Sequence, residues 1–333
     1  MTRIDVAQFS RRAYPGAFSI EQVFHDIEAA LPDDIAVRAV RNQGFSRGLL
    51  PRLRDALGAR RHRGMVNHVL GDVHYLTLFL PRKRTILTIH DCEMIHRASG
   101  LKRFILWLFW IRLPVARAGT VVAISQTTRA DIEALLGGGD YRIEVIENPV
   151  SPRFSPTPPP PAGDSLPEIL HIGTKANKNL DRLIDAATGL PLKLVVIGRL
   201  TEAQRARIQA SGLAWENRHD LSADEIVEAY RRATLLAFVS LSEGFGLPII
   251  EAQATRRPVL CADREPMRCV AGDGALLVDP EDTAAIRSGL ERLLGDPDLR
   301  ARLVAAGRGN VTRFTAGTIA EKYAALYRKV AEQ

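Results

Sequence analysis

The segment Ser242-Glu243-Gly244-Phe245-Gly246-Leu247-Pro248-Ile249-Ile250-Glu251 sets two carboxylates, Glu243 and Glu251, eight positions apart around a pair of glycines. Glycine lets a backbone come close to a ligand. A helix beginning at Pro248 would add unpaired N–H groups and a positive dipole end for an anion. That chemistry suits a nucleoside diphosphate, with the carboxylates accepting hydrogen bonds from a polyol. A tight turn beside acidic residues, with no ligand, satisfies the same spacing. A second candidate, His90, closes the apolar run 85–89. It reads either as an imidazole poised at a strand end or as a buried histidine satisfied by its neighbours, with Asp91 capping the next segment.

Other chemistries find no footing. The remaining histidines, His25, His62, His68, His74, His96, His171 and His219, form no metal-ligand spacing with a carboxylate. The three cysteines, Cys92, Cys261 and Cys269, lack close partners, so no metal is assigned and a reducing compartment fits. Gly173-Thr174-Lys175 lacks the spacing of an ATPase phosphate loop. No G-x-G-x-x-G comes after the first strand, which argues against a nicotinamide dehydrogenase.

The elements that must position these residues alternate. Strand-like runs fall at 4–7, 35–40, 85–89, 120–124 and 142–146, with helical spacing over 18–31 and Ser125 placed as a helix cap. The proline-rich stretch 151–167 suits neither helix nor sheet and reads as a linker. Strands then resume at 168–172, 192–197, 235–239, 259–260 and 275–278. Between and after them come helices over 179–187, 202–210 and 249–254 and through most of 283–330. Ser222 and Glu225 form a capping box for a further helix. This alternation implies two parallel-sheet α/β domains facing a central cleft, over 1–150 and from 168 onward.

Composition agrees with a folded chain. Of 333 residues, 46% are apolar and 25% charged, which excludes a disordered, collagen-like or coiled-coil protein. No run reaches the ~18 apolar residues of a spanning helix, and the amino terminus lacks a signal-peptide core, so a cytoplasmic placement is expected. The formal charge is +7. The excess sits in the first half, with eight arginines and only Asp55 between positions 38 and 63. Such a field suits a polyanion, an anionic membrane or phosphorylated substrates. A nucleic-acid reading is set aside, because there is no reading motif and the second half is nearly neutral. The stretch LKRFILWLFWIRLPVAR, from Leu101 to Arg117, combines Trp107, Trp110 and Phe104 with Lys102, Arg103 and Arg112. It reads as a helix lying in a membrane interface or as a core helix, ended in either case by Pro114.

The Glu243-to-Glu251 segment resembles the glutamate–seven residues–glutamate signature of retaining nucleotide-sugar glycosyltransferases of family four, which have two Rossmann-like domains (the GT-B fold). Further segments are similar to that family in order along the chain. They are the strand ending at His90, Ala118-Gly119-Thr120 through Ser125, Glu147-Asn148-Pro149, His171-Ile172-Gly173-Thr174 with Lys178-Asn179, Glu265-Pro266-Met267-Arg268, and Gly272-Asp273-Gly274 through Pro280.

The resemblance implies an acceptor domain over 1–150, a donor domain over 168–313, and a carboxy-terminal helix, 314–333, crossing back to the first domain. It implies that Glu251 binds the ribose, that Glu243 contacts the transferred sugar, and that Lys178 neutralises the leaving diphosphate. His90 would lie near the reacting centre. Gly16, Gly173, Thr174, Gly244, Phe245, Gly246 and Leu247 would line the donor site. Where many relatives carry arginines this chain has Thr174 and Asn177, and Lys175 or Arg199 would supply the charge. The implied reaction is metal-independent transfer of a hexose, with mannose from GDP-mannose as the first choice. The acceptor would be a saccharide or lipid-linked saccharide in bacterial surface glycan synthesis, with membrane contact through 101–117. A non-catalytic subunit of the same fold and a sugar-nucleotide epimerase are the alternatives.

Overall fold

The computed structural model describes residues 3–11, 19–42, 49–159 and 165–333. The chain forms two compact units, Met1–Pro149 with Ala316–Gln333, and Val150–Thr315.

The first unit carries β1 (Ile4–Ser10), β2 (Ile35–Arg41), β3 (Val66–Val69), β4 (Thr85–Ile89), β5 (Thr120–Ala123) and β6 (Ile143–Val145). They form one sheet in the order β2-β1-β3-β4-β5-β6, with every pairing parallel. β3, β4 and β5 are buried along their whole length, as strands covered on both faces must be. Ser125 caps helix Gln126–Leu136 by accepting from the Thr128 N–H, and Gly137 ends it at φ +70°. The last helix, Ala316–Ala331, brings buried Tyr323 and Tyr327 to the sheet. The Tyr327 hydroxyl meets His68 Nδ1 at 2.8 Å, and His68 Nε2 meets Thr88 Oγ1 at 2.7 Å. Arg328 donates twice to Asp34, at 2.8 Å each.

Pro114 does not end the helix in which it lies, contrary to the sequence expectation. The helix runs from Gly100–Leu106 through a wide π-helical turn, Trp107–Arg112, into Leu113–Arg117. Proline leaves the carbonyl four residues back without a donor. That carbonyl, on Trp110, is taken by His74 Nδ1 at 2.6 Å. The wide turn also shifts the helix phase. Trp107 turns inward and donates to the Leu135 carbonyl at 2.7 Å, while Leu101, Phe104, Ile105 and Phe109 stay exposed.

The second unit carries β7 (Glu168–Ile172), β8 (Lys193–Ile197), β9 (Ala214–Arg218), β10 (Leu235–Phe238), β11 (Val259–Ala262) and β12 (Leu276–Val278). Its sheet runs β12-β11-β10-β7-β8-β9, again all parallel. Strand order reverses between β7 and β10. In open α/β sheets that is where ligands bind, beyond the carboxyl ends of the strands. Helices Glu202–Ala210 and Ala223–Arg232 each begin with a full capping box, from Thr201 with Gln204 and from Ser222 with Glu225. The start of the proline-rich stretch lies along this unit. Buried Arg257 donates to Thr157 Oγ1 at 2.7 Å and to the Pro158 carbonyl at 2.6 Å.

Candidate active site

The loops after β7 and β10 meet at the reversal of strand order in the second unit. After β7 the chain turns at Gly173, φ +95°, and a Cβ there would collide with the Lys178 side chain at 2.9 Å. Glycine therefore lets Lys178 fold back across the strand end. A short 3-10 turn, Ala176–Lys178, and left-handed Asn179 lead into helix Leu180–Ala187. Asn179 is fastened to the carbonyls of Val239 and Pro280, at 3.0 and 2.7 Å. The two loops are tied directly: Leu241 N–H donates to the Asn177 carbonyl at 2.7 Å, and Asn177 Nδ2 to the Ser242 carbonyl at 2.9 Å.

This tie brings Lys178 Nζ to 2.5 Å from Glu243 Oε1, with both side chains more than four-fifths covered. The ammonium also lies 5.1 Å from the centre of the Phe238 ring, a favourable cation–π placement. Gly246, at φ +115°, opens helix Leu247–Ala254, with Pro248 in its first turn. A side chain at Gly246 would press on Ile249 Cδ1 at 3.0 Å. One turn further on stands Glu251, half-buried. Burial pushes its carboxyl up to about 7, against the opposing pull of a hydrogen bond from Tyr230 and the charge of Lys178. Lysine, two carboxylates and a helix N-terminus at one strand-end crevice can bind an anion flanked by hydroxyls.

The other residues singled out from the sequence divide. Thr174 Oγ1 donates to the Arg199 carbonyl at 2.7 Å, and the Thr174 carbonyl accepts from Gln204 Nε2 at 2.8 Å, so this position braces its loop. Lys175 is exposed. The exposed Arg199 guanidinium is paired with Asp220. The Phe245 ring is buried edge-on against Phe314, centres 5.8 Å apart, which leaves only its backbone for a ligand. Gly16 lies outside the described residues.

His90, at the end of β4, belongs to the first unit. Its Nε2 is buried and has no hydrogen-bond partner among the described residues. Burial, reinforced by His74, lowers it to about 4, so the ring is neutral at pH 7. Near the strand-order reversal of the same unit, between β1 and β3, a groove is lined by Ser10, Arg11, Glu21, Phe24, Leu70 and Gly71. Among the described residues no group of three or more His, Cys, Asp or Glu is placed to hold a metal ion.

Sequence reasoning missed one neighbour of Glu251 in the second unit and one of His90 in the first. Tyr230, whose hydroxyl donates to Glu251 Oε2 at 2.5 Å, lies 21 positions earlier with no local spacing to flag it. His74, beside His90 in the first unit, fills the hydrogen bond that Pro114 leaves open within its helix, and only that proline signals the need for a donor.

Two doubly wound parallel sheets are the architecture of the GT-B fold. The chain belongs to glycosyltransferase family 4. Residues 23–154 match that family by name, and residues 162–310 match the family described as glycosyl transferases group 1. The chain is 33% identical over 302 residues to O-antigen chain mannosyltransferase B of Escherichia coli, covering 80% of this chain and 75% of that protein. It is 26% identical over 240 residues to the O-antigen chain mannosyltransferase RfbU of Salmonella typhimurium, covering 68% of this chain and 65% of that one. The match thus spans less than two thirds of the Salmonella protein. Among solved structures, Anabaena HepE in complex with UDP and glucose superposes with a TM-score of 0.79 at 17% identity, over 98% of this chain and all of that one.

Proposed function

We propose that this chain is a retaining glycosyltransferase that moves a hexose from a nucleoside diphosphate sugar to a hydroxyl of a saccharide or lipid-linked saccharide. The observation that carries the reading is the assembly of Lys178, Glu243, Gly246 and Glu251 at one switch point within the second unit. In this reading Glu251 receives the ribose, and the Leu247 helix terminus faces the diphosphate. Lys178 stabilises the charge that grows on the diphosphate as it leaves, where a preplaced cation contributes most. Glu243, released from part of its pairing with Lys178, accepts from sugar hydroxyls. Neutral His90 offers its unpartnered nitrogen to the sugar without adding charge.

The bond from the anomeric carbon to the diphosphate oxygen breaks with its electron pair going to the phosphate. The acceptor oxygen bonds to the same face, and its proton passes to the departing phosphate oxygen. These residues do this without calling on a metal. Mannose from GDP-mannose is the first choice of donor, supported by the names of the Salmonella and Escherichia coli relatives. The reading places the chain in bacterial surface glycan synthesis on the cytoplasmic side of the membrane.

A peripheral attachment to that membrane is part of the proposal. Leu101, Phe104, Ile105 and Phe109 are exposed by 74, 53, 44 and 42%, beside exposed Lys102 and Arg103. Apolar side chains flanked by cations suit an anionic lipid surface. No helix among the described residues is long and apolar enough to cross a membrane.

The test is calorimetric titration with GDP-mannose, UDP-glucose, UDP-N-acetylglucosamine and dTDP-rhamnose without added metal. Product NMR is then run for whichever donor binds. Saturable binding of one donor and a product of unchanged anomeric configuration are expected. Inversion would remove the retaining mechanism, and silence from all four would remove the donor site.

A further inference from the structure

Glu251 is not steadied by its own helix. Its Oε2 accepts a 2.5 Å hydrogen bond from Tyr230, on the preceding helix Ala223–Arg232. Tyr230 is fully buried, and its ring stands edge-on to Phe154 with centres 5.3 Å apart. Its backbone carbonyl accepts from buried Arg257 Nε at 3.0 Å, and Arg257 also holds the Arg231 carbonyl and Thr157 Oγ1. The phenol therefore has one place to be. Among the described residues, the other acceptor near its hydroxyl is the Pro248 carbonyl at 3.4 Å, in the first turn of the Glu251 helix, so the single proton goes to the nearer carboxylate. Glu251 Oε1 has no hydrogen-bond partner among the described residues.

We propose that Tyr230 is a positioning residue of the donor site, fixing the Glu251 carboxylate so that its second oxygen receives the vicinal hydroxyls of a ribose. The role rests on the donor-site reading above and adds to it the group that sets the carboxylate's plane and charge. A carboxylate free to rotate would lose entropy on each binding event; one oxygen already satisfied by a rigid phenol leaves the other preoriented. The hydrogen bond also keeps Glu251 an acceptor. Burial favours its protonated form, and the hydrogen bond from Tyr230 is the larger of the two influences opposing that rise, ahead of Lys178. The charged and titratable groups around it are Tyr230, Lys178 with its partner Glu243, and Arg257 behind the phenol. Without the phenol proton the carboxyl titrates higher, and binding fades at a pH where the wild type still binds.

The test compares wild type with Tyr230→Phe in binding GDP, UDP, ADP and CDP. The diphosphate that binds is then set against its 2′,3′-dideoxy form, from pH 6 to 9. Tyr230→Phe is expected to weaken the ribonucleotide about tenfold, the scale of one hydrogen bond to a charged group. Affinity for the dideoxy form should be unchanged, and the midpoint of the pH dependence should move upward. Phe154→Leu, which loosens the packing against the ring but keeps the hydroxyl, is expected to preserve the wild-type ratio between the two nucleotides. Equal losses for the two nucleotides in Tyr230→Phe, or no loss for either, would overturn the role. Wild-type protein that binds none of these four diphosphates but binds dTDP would overturn this role alone, and silence from dTDP as well would overturn the donor-site reading with it.

Discussion

The two units are both doubly wound, all-parallel six-stranded sheets, the first reversing its strand order after two strands and the second after three, and they equip the region of that reversal in opposite ways. The second unit concentrates charge: Lys178 against Glu243, with Glu251 one helical turn inside. The first unit concentrates neutral imidazoles. Burial lowers His68 to about 3 and His90 to about 4, and it lowers His74 as well. A diphosphate needs fixed charge to hold it, whereas a polar group placed among apolar side chains can stay only if it is uncharged. In the proposed reading the strand ends of the second unit serve a polyanion, while the first unit keeps uncharged hydrogen-bonding groups there.

The two arrangements respond to pH with opposite sign, which gives the sharpest way to separate them. A histidine depressed on folding leaves the unfolded chain binding more protons, so stability is complete above about 6.5 and drains as pH falls. By pH 4.5 His68 and His90 together withdraw on the order of 5 kcal/mol, comparable with the whole stability of a domain. The second unit has one such residue, His171, lowered to about 4. Acid titration followed by amide exchange is expected to open the first unit before the second. Simultaneous opening, or the reverse order, would break the comparison.

Next in size is Lys178→Ala. Removing a cation aimed at the leaving group should lower kcat by about a hundredfold to a thousandfold, while nucleotide affinity falls far less. An affinity loss as large as the kcat loss would make Lys178 a binding residue only. Smaller again is Glu251→Gln, which keeps an acceptor for Tyr230 without the charge. A carboxyl raised to about 7 in the fold holds protons that the unfolded chain has already released, so its ionisation costs stability as pH rises from about 4.5 to 7. Above that window Glu251→Gln should be more stable than wild type by roughly 3 kcal/mol, with the gain absent near pH 4. Denaturant melts at pH 4 and pH 8 read this directly, and an equal effect at both would contradict the buried-carboxylate account.

Much of the fold is legible in the sequence wherever a local rule governs. Ser125, the Ser222–Glu225 box and Pro248 all stand at the helix starts their residue types demand. β3 and β9 are not legible. β3, Val66–Val69, buries Asn67 and His68, and β9, Ala214–Arg218, is a polar strand at the sheet edge, so neither shows apolar alternation. Placing Phe104, Trp107 and Ile111 on one stripe of the 101–117 helix assumes 3.6 residues per turn. The π-helical turn from Trp107 to Arg112 violates that assumption: Trp107 keeps its ring 5.7 Å from that of Phe104, but Phe104 is exposed while Ile111 is buried. At the site, Glu243 and Glu251 announce themselves by spacing. The Lys178–Glu243 pair and the Tyr230–Glu251 hydrogen bond, spanning 65 and 21 positions, arise only from the folded topology.

The central claim of the proposed function is that nucleotide recognition belongs to the second unit. Its most direct test is the dissociation constant of the bound nucleoside diphosphate in Glu251→Ala and His90→Ala. The account predicts a loss of about a hundredfold in Glu251→Ala, two hydrogen bonds to a charged acceptor, and less than about a twofold change in His90→Ala. Comparable losses in the two variants, or a larger one in His90→Ala, would contradict it.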